Sequence, residues 1–203
     1  MSEGLEIWWI RHGESLWNRQ GRWQGHSDID LSPLGEEQAR KLSKRLESIA
    51  FIRVSCSALS RARRTAELAL PSRPPEADPR LREVHFGAFE GRSVDEFDDE
   101  AREQLQQWLR DPFGLRLPGG ESMGDVRIRV GQWFGQLPSR GRIAVFTHGG
   151  VIRSEIWQIV GPPQENRWTV QIENTSISRI RYARRISLER INDCSHLEDD
   201  AGA

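Results

Sequence analysis

Leu5-Glu6-Ile7-Trp8-Trp9-Ile10-Arg11-His12-Gly13-Glu14-Ser15 is the stretch that decides the fold. Its first six residues are apolar apart from Glu6, the pattern of a strand buried on both faces. Arg11 and His12 then arrive together, and neither suits continued burial. A permanent cation beside an imidazole at the carboxyl end of a buried strand suggests an anion site. A second junction of the same design lies far downstream. Ile143 to Thr147 is another apolar run, and it ends in His148-Gly149-Gly150 before a helical pattern.

Between and beyond these junctions, strand and helix patterns alternate, which predicts helices packed on a mostly parallel sheet. Ser32-Pro33 reads as an N-cap with Pro at the first helical position, opening a helix to about Ser48. Leu34, Ala39, Leu42 and Leu46 supply its apolar stripe. A β-branched strand is expected over Ile52 to Ser57, a helix over Leu59 to Leu70, and an extended loop through Pro71, Pro74, Pro75 and Pro79. Helices are expected over Ser93 to Arg110, Asp125 to Leu137 and Val151 to Val160, the last stopped by Gly161-Pro162-Pro163. Val170 to Ile191 reads as two or three strands.

At 203 residues the chain is expected to form one domain over 1–197, with 198–203 a disordered tail. The net charge is −1 with 29% charged residues, so no global field draws the chain to nucleic acid or a membrane surface. The acidic run Glu96 to Glu100 and the arginines 179, 181, 184, 185 and 190 read as solvated surface. Cys56 and Cys194 are too few for a disulfide framework and are expected to be reduced. The apolar run Ile7 to Ile10 is stopped by Arg11, so it is neither a signal peptide nor a span, and a cytoplasmic protein is the default expectation.

Arg11-His12-Gly13-Glu14-Ser15 with a distant His148-Gly149-Gly150 resembles the histidine phosphatase superfamily, the phosphoglycerate-mutase-like fold. The resemblance runs from about Ile7 to Ile191. It takes in Asn18, Arg22-Trp23-Gln24-Gly25, Leu31 to Gly35, Ser57 to Ala62 with Thr65-Ala66, Leu81-Arg82-Glu83, Phe86-Gly87, Glu90-Gly91 and Pro118 to Ser122. It implies a three-layer α/β/α sandwich and chemistry through a phosphorylated histidine.

On that resemblance His12 is the nucleophile, and a neutral imidazole is required of it. Arg11 and Arg61 hold the phosphate and should lower the imidazole's proton affinity. A backbone carbonyl of the same turn fixes its tautomer. His148 is the second histidine, and Gly149 and Gly150 allow close backbone approach. Glu83 is the proton donor, because a carboxylate facing a bound dianion holds its proton more readily and can hand it to an alkoxide. Ser15, Asn18, Gln24, Gly25 and Gly149 are the expected substrate-binding set. Arg63 and Arg64 fall at other azimuths of the Arg61 helix and read as surface, His26 and Asp28 as polar loop residues. His85 is open between flanking the site and sitting in the loop.

No metal is expected: no His-x-x-x-His or Cys-x-x-Cys spacing exists, and Arg11 beside His12 would repel a dication. No cofactor is implied. Gly87-Ala88-Phe89-Glu90-Gly91 matches a motif after which the glycolytic mutases carry a long insertion, absent here, and Arg92-Ser93 stands where they have Asn-Lys. A metal-independent phosphomonoesterase acting on a small-molecule phosphate ester is therefore expected, by a monomer or homodimer. A phosphoglycerate mutase with a reduced lid is the alternative, and a non-catalytic phosphate-binding module the third. Ser93 to Arg110 and the Met123 region are expected to roof the pocket, with Trp23 and Trp108 as candidate walls.

Overall fold

The computed structural model describes residues 4–161 and 170–198. In chain order the elements are β1 (Leu5–Arg11), α1 (Leu16–Arg19), α2 (Pro33–Leu46), β2 (Arg53–Ser57), α3 (Ser60–Ala69), β3 (Glu76–Asp78), α4 (Asp99–Arg110), α5 (Met123–Phe134), β4 (Gly141–Thr147), α6 (Gly149–Val160), β5 (Ile177–Tyr182) and β6 (Ile186–Asp193). Among the described residues the strands form one six-stranded sheet in the order β3-β2-β4-β1-β5-β6. β3, β2, β4 and β1 run parallel, while β5 and β6 close the far edge antiparallel.

Period-two alternation in the central strands builds the three layers. Ile7 and Trp9 of β1, with Ile143 and Val145 of β4, pack against Val130 and Trp133 of α5 and Ile152 and Ile156 of α6. Trp8 and Ile10, with Ala144 and Phe146, pack on the other face against Leu42 and Leu46 of α2 and Ala66 and Ala69 of α3. This is the expected α/β/α sandwich.

Glu6, the one acid in the β1 run, is buried, and its partners come from register. Arg142 and Arg181 sit opposite it on the two flanking strands. They reach it at 3.2 and 3.0 Å, and Trp8 Nε1 donates at 2.5 Å. Burial alone would push its carboxyl up; the hydrogen bonds from Trp8 and Arg142 outweigh that and hold it low.

Several local expectations are corrected. Leu34 leaves the α2 stripe and is 48% exposed, while Gly35 takes the buried position. The reason is a backbone contact: a Cβ on Gly35 would collide with Glu14 O, and one on Gly13 with Gly35 O. α4 begins at Asp99, not Ser93, because Asp98 caps it by accepting from Ala101 N–H and the preceding 94–96 form a separate 3-10 turn. α5 starts two residues before Asp125, at Met123, with Ser122 as its N-cap. Residues 170–176 form no strand, so the C-terminal strands begin at Ile177; their number, two, is within the two or three expected. Pro162, Pro163 and nearly all of the expected tail lie outside the described residues.

Candidate active site

Parallel pairing of adjacent β1 and β4 places the two junctions side by side. The ladder pairs Arg11 with Thr147, and His12 N–H donates to Thr147 O at 2.9 Å. His12 and His148 therefore leave the same end of neighbouring strands, where open parallel sheets bind ligands. Their rings are 5.1 Å apart at 60°. Both are buried.

His12 Nδ1 lies 2.6 Å from Gly13 O, so Nδ1 carries the proton and Nε2 keeps its lone pair. Burial first, then the cations of Arg61 and Arg11, hold this imidazole well below the ordinary histidine range. Burial and Arg61 do the same to His148. Neither ring nitrogen of His148 has a hydrogen-bond partner among the described residues.

Arg61 enters from the first turn of α3, following the neighbouring parallel strand β2. Its Nη2 donates to Gly25 O at 2.7 Å and its Nη1 to Ser27 O at 2.9 Å. Arg11 Nη1 donates to Ile172 O at 2.6 Å. The Nε atoms of both arginines have no partner among the described residues. Burial lowers both guanidinium groups to about 10, which leaves them cations at neutral pH.

Ser15 N-caps the short α1: its Oγ accepts from Asn18 N–H at 3.0 Å and donates to Gln24 Oε1 at 2.5 Å. Its hydroxyl is thus committed to holding Asn18 and Gln24, not free for a ligand. Taking the Gln24 oxygen leaves Gln24 Nε2 buried without a partner. Gly25 must be glycine, because a Cβ would meet Glu90 Oε1 and Val84 O.

Glu83 follows the 3-10 turn after β3, and Thr147 Oγ1 anchors that turn to β4 by donating to Leu81 O at 2.7 Å. Both Glu83 carboxylate oxygens accept from Gly150 N–H at 3.1 Å, and Oε1 also accepts from Val84 N–H at 2.9 Å. Gly150 thus serves Glu83, not an anion directly. Gly149 lies where its Cβ would come within 3.3 Å of Arg153 Nη1 and 3.8 Å of Arg11 Nε.

Arg11, Arg61, His12 and His148 lie close enough to act on one another electrostatically, and Glu83 acts on both arginines. Asn18 and Gln24 hang on Ser15, Gly25 O is held by Arg61, and Gly149 lies beside Arg11. A buried donor left unpaired costs about 1–3 kcal/mol. The unpartnered set of two guanidinium nitrogens, one amide and one imidazole is matched by an acceptor-rich anion.

Sequence reasoning missed the supporting shell. Arg153, one turn into α6, is a further, half-buried cation near Arg11, and its Nε donates to Val170 O at 3.0 Å. Arg129 holds the Glu83 segment, donating to Arg80 O, Arg82 O and Glu83 O at 2.6–2.8 Å and pairing with Glu121 at 3.0 Å. Glu90 accepts from His26 N–H, Ser27 N–H and Phe86 N–H, fixing the Gln24-Gly25 loop against that segment. His26 Nε2 lies 2.9 Å from Glu83 O, and His85 stacks on His26 at 4.8 Å, so His85 braces the loop. Asp28 caps α3 by accepting from Ser60 N–H at 2.7 Å. Arg63 and Arg64 are exposed as expected. Most of these contacts join distant segments and leave no signal in local spacing; Glu90 to Phe86 spans four residues and Arg129 to Glu121 eight.

The roof differs from expectation in detail. Met123 and Trp108 belong to the buried core, while Trp23 is half-buried against Phe86 at 4.9 Å and Phe97 at 6.1 Å. The chain after Gly91 is laced to the Gln24 loop through Trp23 N–H to Arg92 O and Gly91 N–H to Trp23 O, both 2.9 Å. A groove of about 1050 Å³, lined by Gly4, Phe134, Tyr182 and Arg185, lies at the opposite end of β1. Among the described residues no helix is long and apolar enough to cross a membrane.

The fold and this strand-end histidine pair are those of a histidine phosphatase-type α/β/α domain. Residues 7–193 match the model of the histidine phosphatase superfamily (branch 1), and the chain belongs to that family. It is 33% identical to "Probable phosphoglycerate mutase GpmB" of Photorhabdus laumondii, over 97% of both chains. A solved structure from Escherichia coli superposes with a TM-score of 0.82 at 31% identity, covering 94% of this chain and 97% of that one. The alpha-ribazole phosphatase of Shigella flexneri gives 0.80 at 30% identity, covering 93% and 96%.

Proposed function

We propose that the chain is a metal-independent phosphomonoesterase that hydrolyses a small phosphorylated metabolite through a phosphohistidine at His12. The observation that carries this reading is a buried, tautomer-fixed His12 whose ring lies 5.1 Å from that of His148, with buried nitrogens of Arg11, Arg61, Gln24 and His148 left without partners among the described residues.

In this reading the phosphate oxygens accept from Arg11, Arg61, Gln24, Asn18 and His148. His12 Nε2 attacks phosphorus in line, the P–O bond to the alcohol breaks, and Glu83 gives its proton to the departing alkoxide. Water then attacks the phosphohistidine while Glu83 takes its proton, and inorganic phosphate leaves with His12 neutral again. His148, uncharged in the empty site, gains proton affinity when the dianion arrives beside it.

Hydrolysis is favoured over transfer by the short segment 92–118 between Gly91 and Gly119, which lacks a lid-sized insertion to keep water from the intermediate. The mutase reading is supported by the GpmB relatives, matched over 97% of this chain. A phosphate-release screen that includes alpha-ribazole 5′-phosphate and both phosphoglycerates, run beside an isomerisation assay, tests the two. Free phosphate is expected. Isomer without phosphate would make the chain a mutase, and binding without either product would leave a phosphate-binding module.

A further inference from the structure

We infer that Asn174 is a positioning residue that sets the amide of Asn18, so that the Asn18 NH2 faces the phosphate. This inference rests on the phosphate-site reading above and adds to it a residue outside the motifs that carried it.

An asparagine amide is two-faced, and whichever face is tied down by the protein decides what the other offers a ligand. Asn18 Oδ1 accepts from Ser15 N–H at 3.2 Å and from Asn174 Nδ2 at 3.3 Å. With both donors on the oxygen, Asn18 Nδ2 has to point the other way. Ser15 N–H alone would be a single, long tether from the same turn; the second donor comes from 156 residues away.

Asn174 does a second job with the same nitrogen. Its Nδ2 donates to His12 O at 3.0 Å, and Thr175 N–H donates to that carbonyl at 3.2 Å. The backbone of His12 is thereby clamped from the 173–176 turn. That turn is unusual: Thr175 is β-branched, fully buried, and adopts φ +59°, in the left-handed region. Its side chain holds it there, with Oγ1 donating to Asn174 O at 2.7 Å and lying 3.1 Å from His196 Nε2. Asn192 Oδ1 accepts from Glu173 N–H at 2.6 Å and closes the turn from β6. Strain of this kind gathers where surrounding contacts over-determine a functional geometry.

The test uses inorganic phosphate as the probe, read as a dissociation constant by calorimetry, with turnover measured separately. Asn174→Ala and the isosteric Asn174→Asp, which cannot donate to Asn18, should each weaken phosphate binding about tenfold. In an Asn18→Ala background, Asn174→Ala should change that constant by less than about twofold. In the wild-type protein, phosphate should move the side-chain amide resonances of Asn18 and leave those of Asn174 in place. Wild-type affinity in Asn174→Asp, equal losses in both backgrounds, or an unmoved Asn18 amide would each overturn the inference. If the wild-type chain binds no phosphate, the functional reading falls first; if it binds and turns over normally with position 174 altered, only this inference falls.

Discussion

Glu83 lies against the N-terminus of α6, both of its carboxylate oxygens 3.1 Å from the amide nitrogen of Gly150. That backbone N–H fixes the Glu83 side chain at the helix end that follows His148. A Cβ on Gly150 would collide with Glu83 Oε1. Gly150→Ala should therefore displace the acid without touching either histidine. We expect kcat/KM on an alkyl phosphate, which reports only the steps up to loss of the alcohol, to fall by about 10²-fold or more, with a much smaller loss on p-nitrophenyl phosphate, whose leaving group scarcely needs a proton. Equal losses of kcat/KM on both substrates would take Glu83 out of the role of acid to the leaving group, as would equal losses in Glu83→Gln.

Histidine protonation gives a second check. Burial and the flanking arginines hold His12 and His148 well below the ordinary range, whereas His196, lowered chiefly by burial, sits at about 4. Each is a base with a depressed folded-state value, so its contribution to stability is present above about 6.5 and is lost as pH falls through the folded value. Nitrogen chemical shifts of the ligand-free protein should show no titration of His12 or His148 near pH 6.5. A midpoint near 6.5 for His12 would contradict the neutral nucleophile.

Arg129 offers a prediction about the shell around the site. It is the shared anchor for the carbonyls of Arg80, Arg82 and Glu83 and for Glu121. Removing its donors leaves those acceptors short, at a cost of about 2–4 kcal/mol. Arg129→Met should lower Tm and reduce kcat together. Arg129→Lys should rescue little, because an ammonium cannot reproduce the planar fork. Full activity in Arg129→Met would show that the Glu83 segment holds itself.

Glu155 on α6 titrates in the opposite sense. Burial pushes its carboxyl up to about 7, against 4.5 in the unfolded chain. The stability linked to its protonated form is full below about 4.5 and is lost as pH rises through about 7. Glu155→Gln should raise Tm at pH 8 more than at pH 5, measured by thermal melts across that range. A larger gain at pH 5 would mean the buried carboxyl is ionised in the folded protein.

The main features of the site were legible because two apolar runs each stop at a histidine. Strand ends in a parallel sheet gather on one side, so Arg11-His12 and His148 could be paired before any tertiary information. Arg61 and Glu83 followed from the motifs around them. What stayed hidden acts across the fold. Arg129, Arg153 and Asn174 sit in unremarkable local sequence, and only helix packing and the turn before β5 bring them in. Leu34 illustrates the same limit: helical periodicity placed it inside, but close approach of Gly13 and Gly35 turned the helix so that glycine took the buried place. Residues 170–176 were apolar and polar in strand-like alternation, yet their carbonyls serve Arg11 and Arg153 instead of a ladder.

Rapid mixing with a substrate labelled in its phosphoryl group, an alkaline quench that preserves phosphohistidine, and peptide mass spectrometry would test the central claim most directly. The label should appear on His12 within one turnover and vanish in His12→Ala, which should keep its fold. Label on another side chain, or turnover with no protein-bound phosphoryl group at any time point, would contradict it.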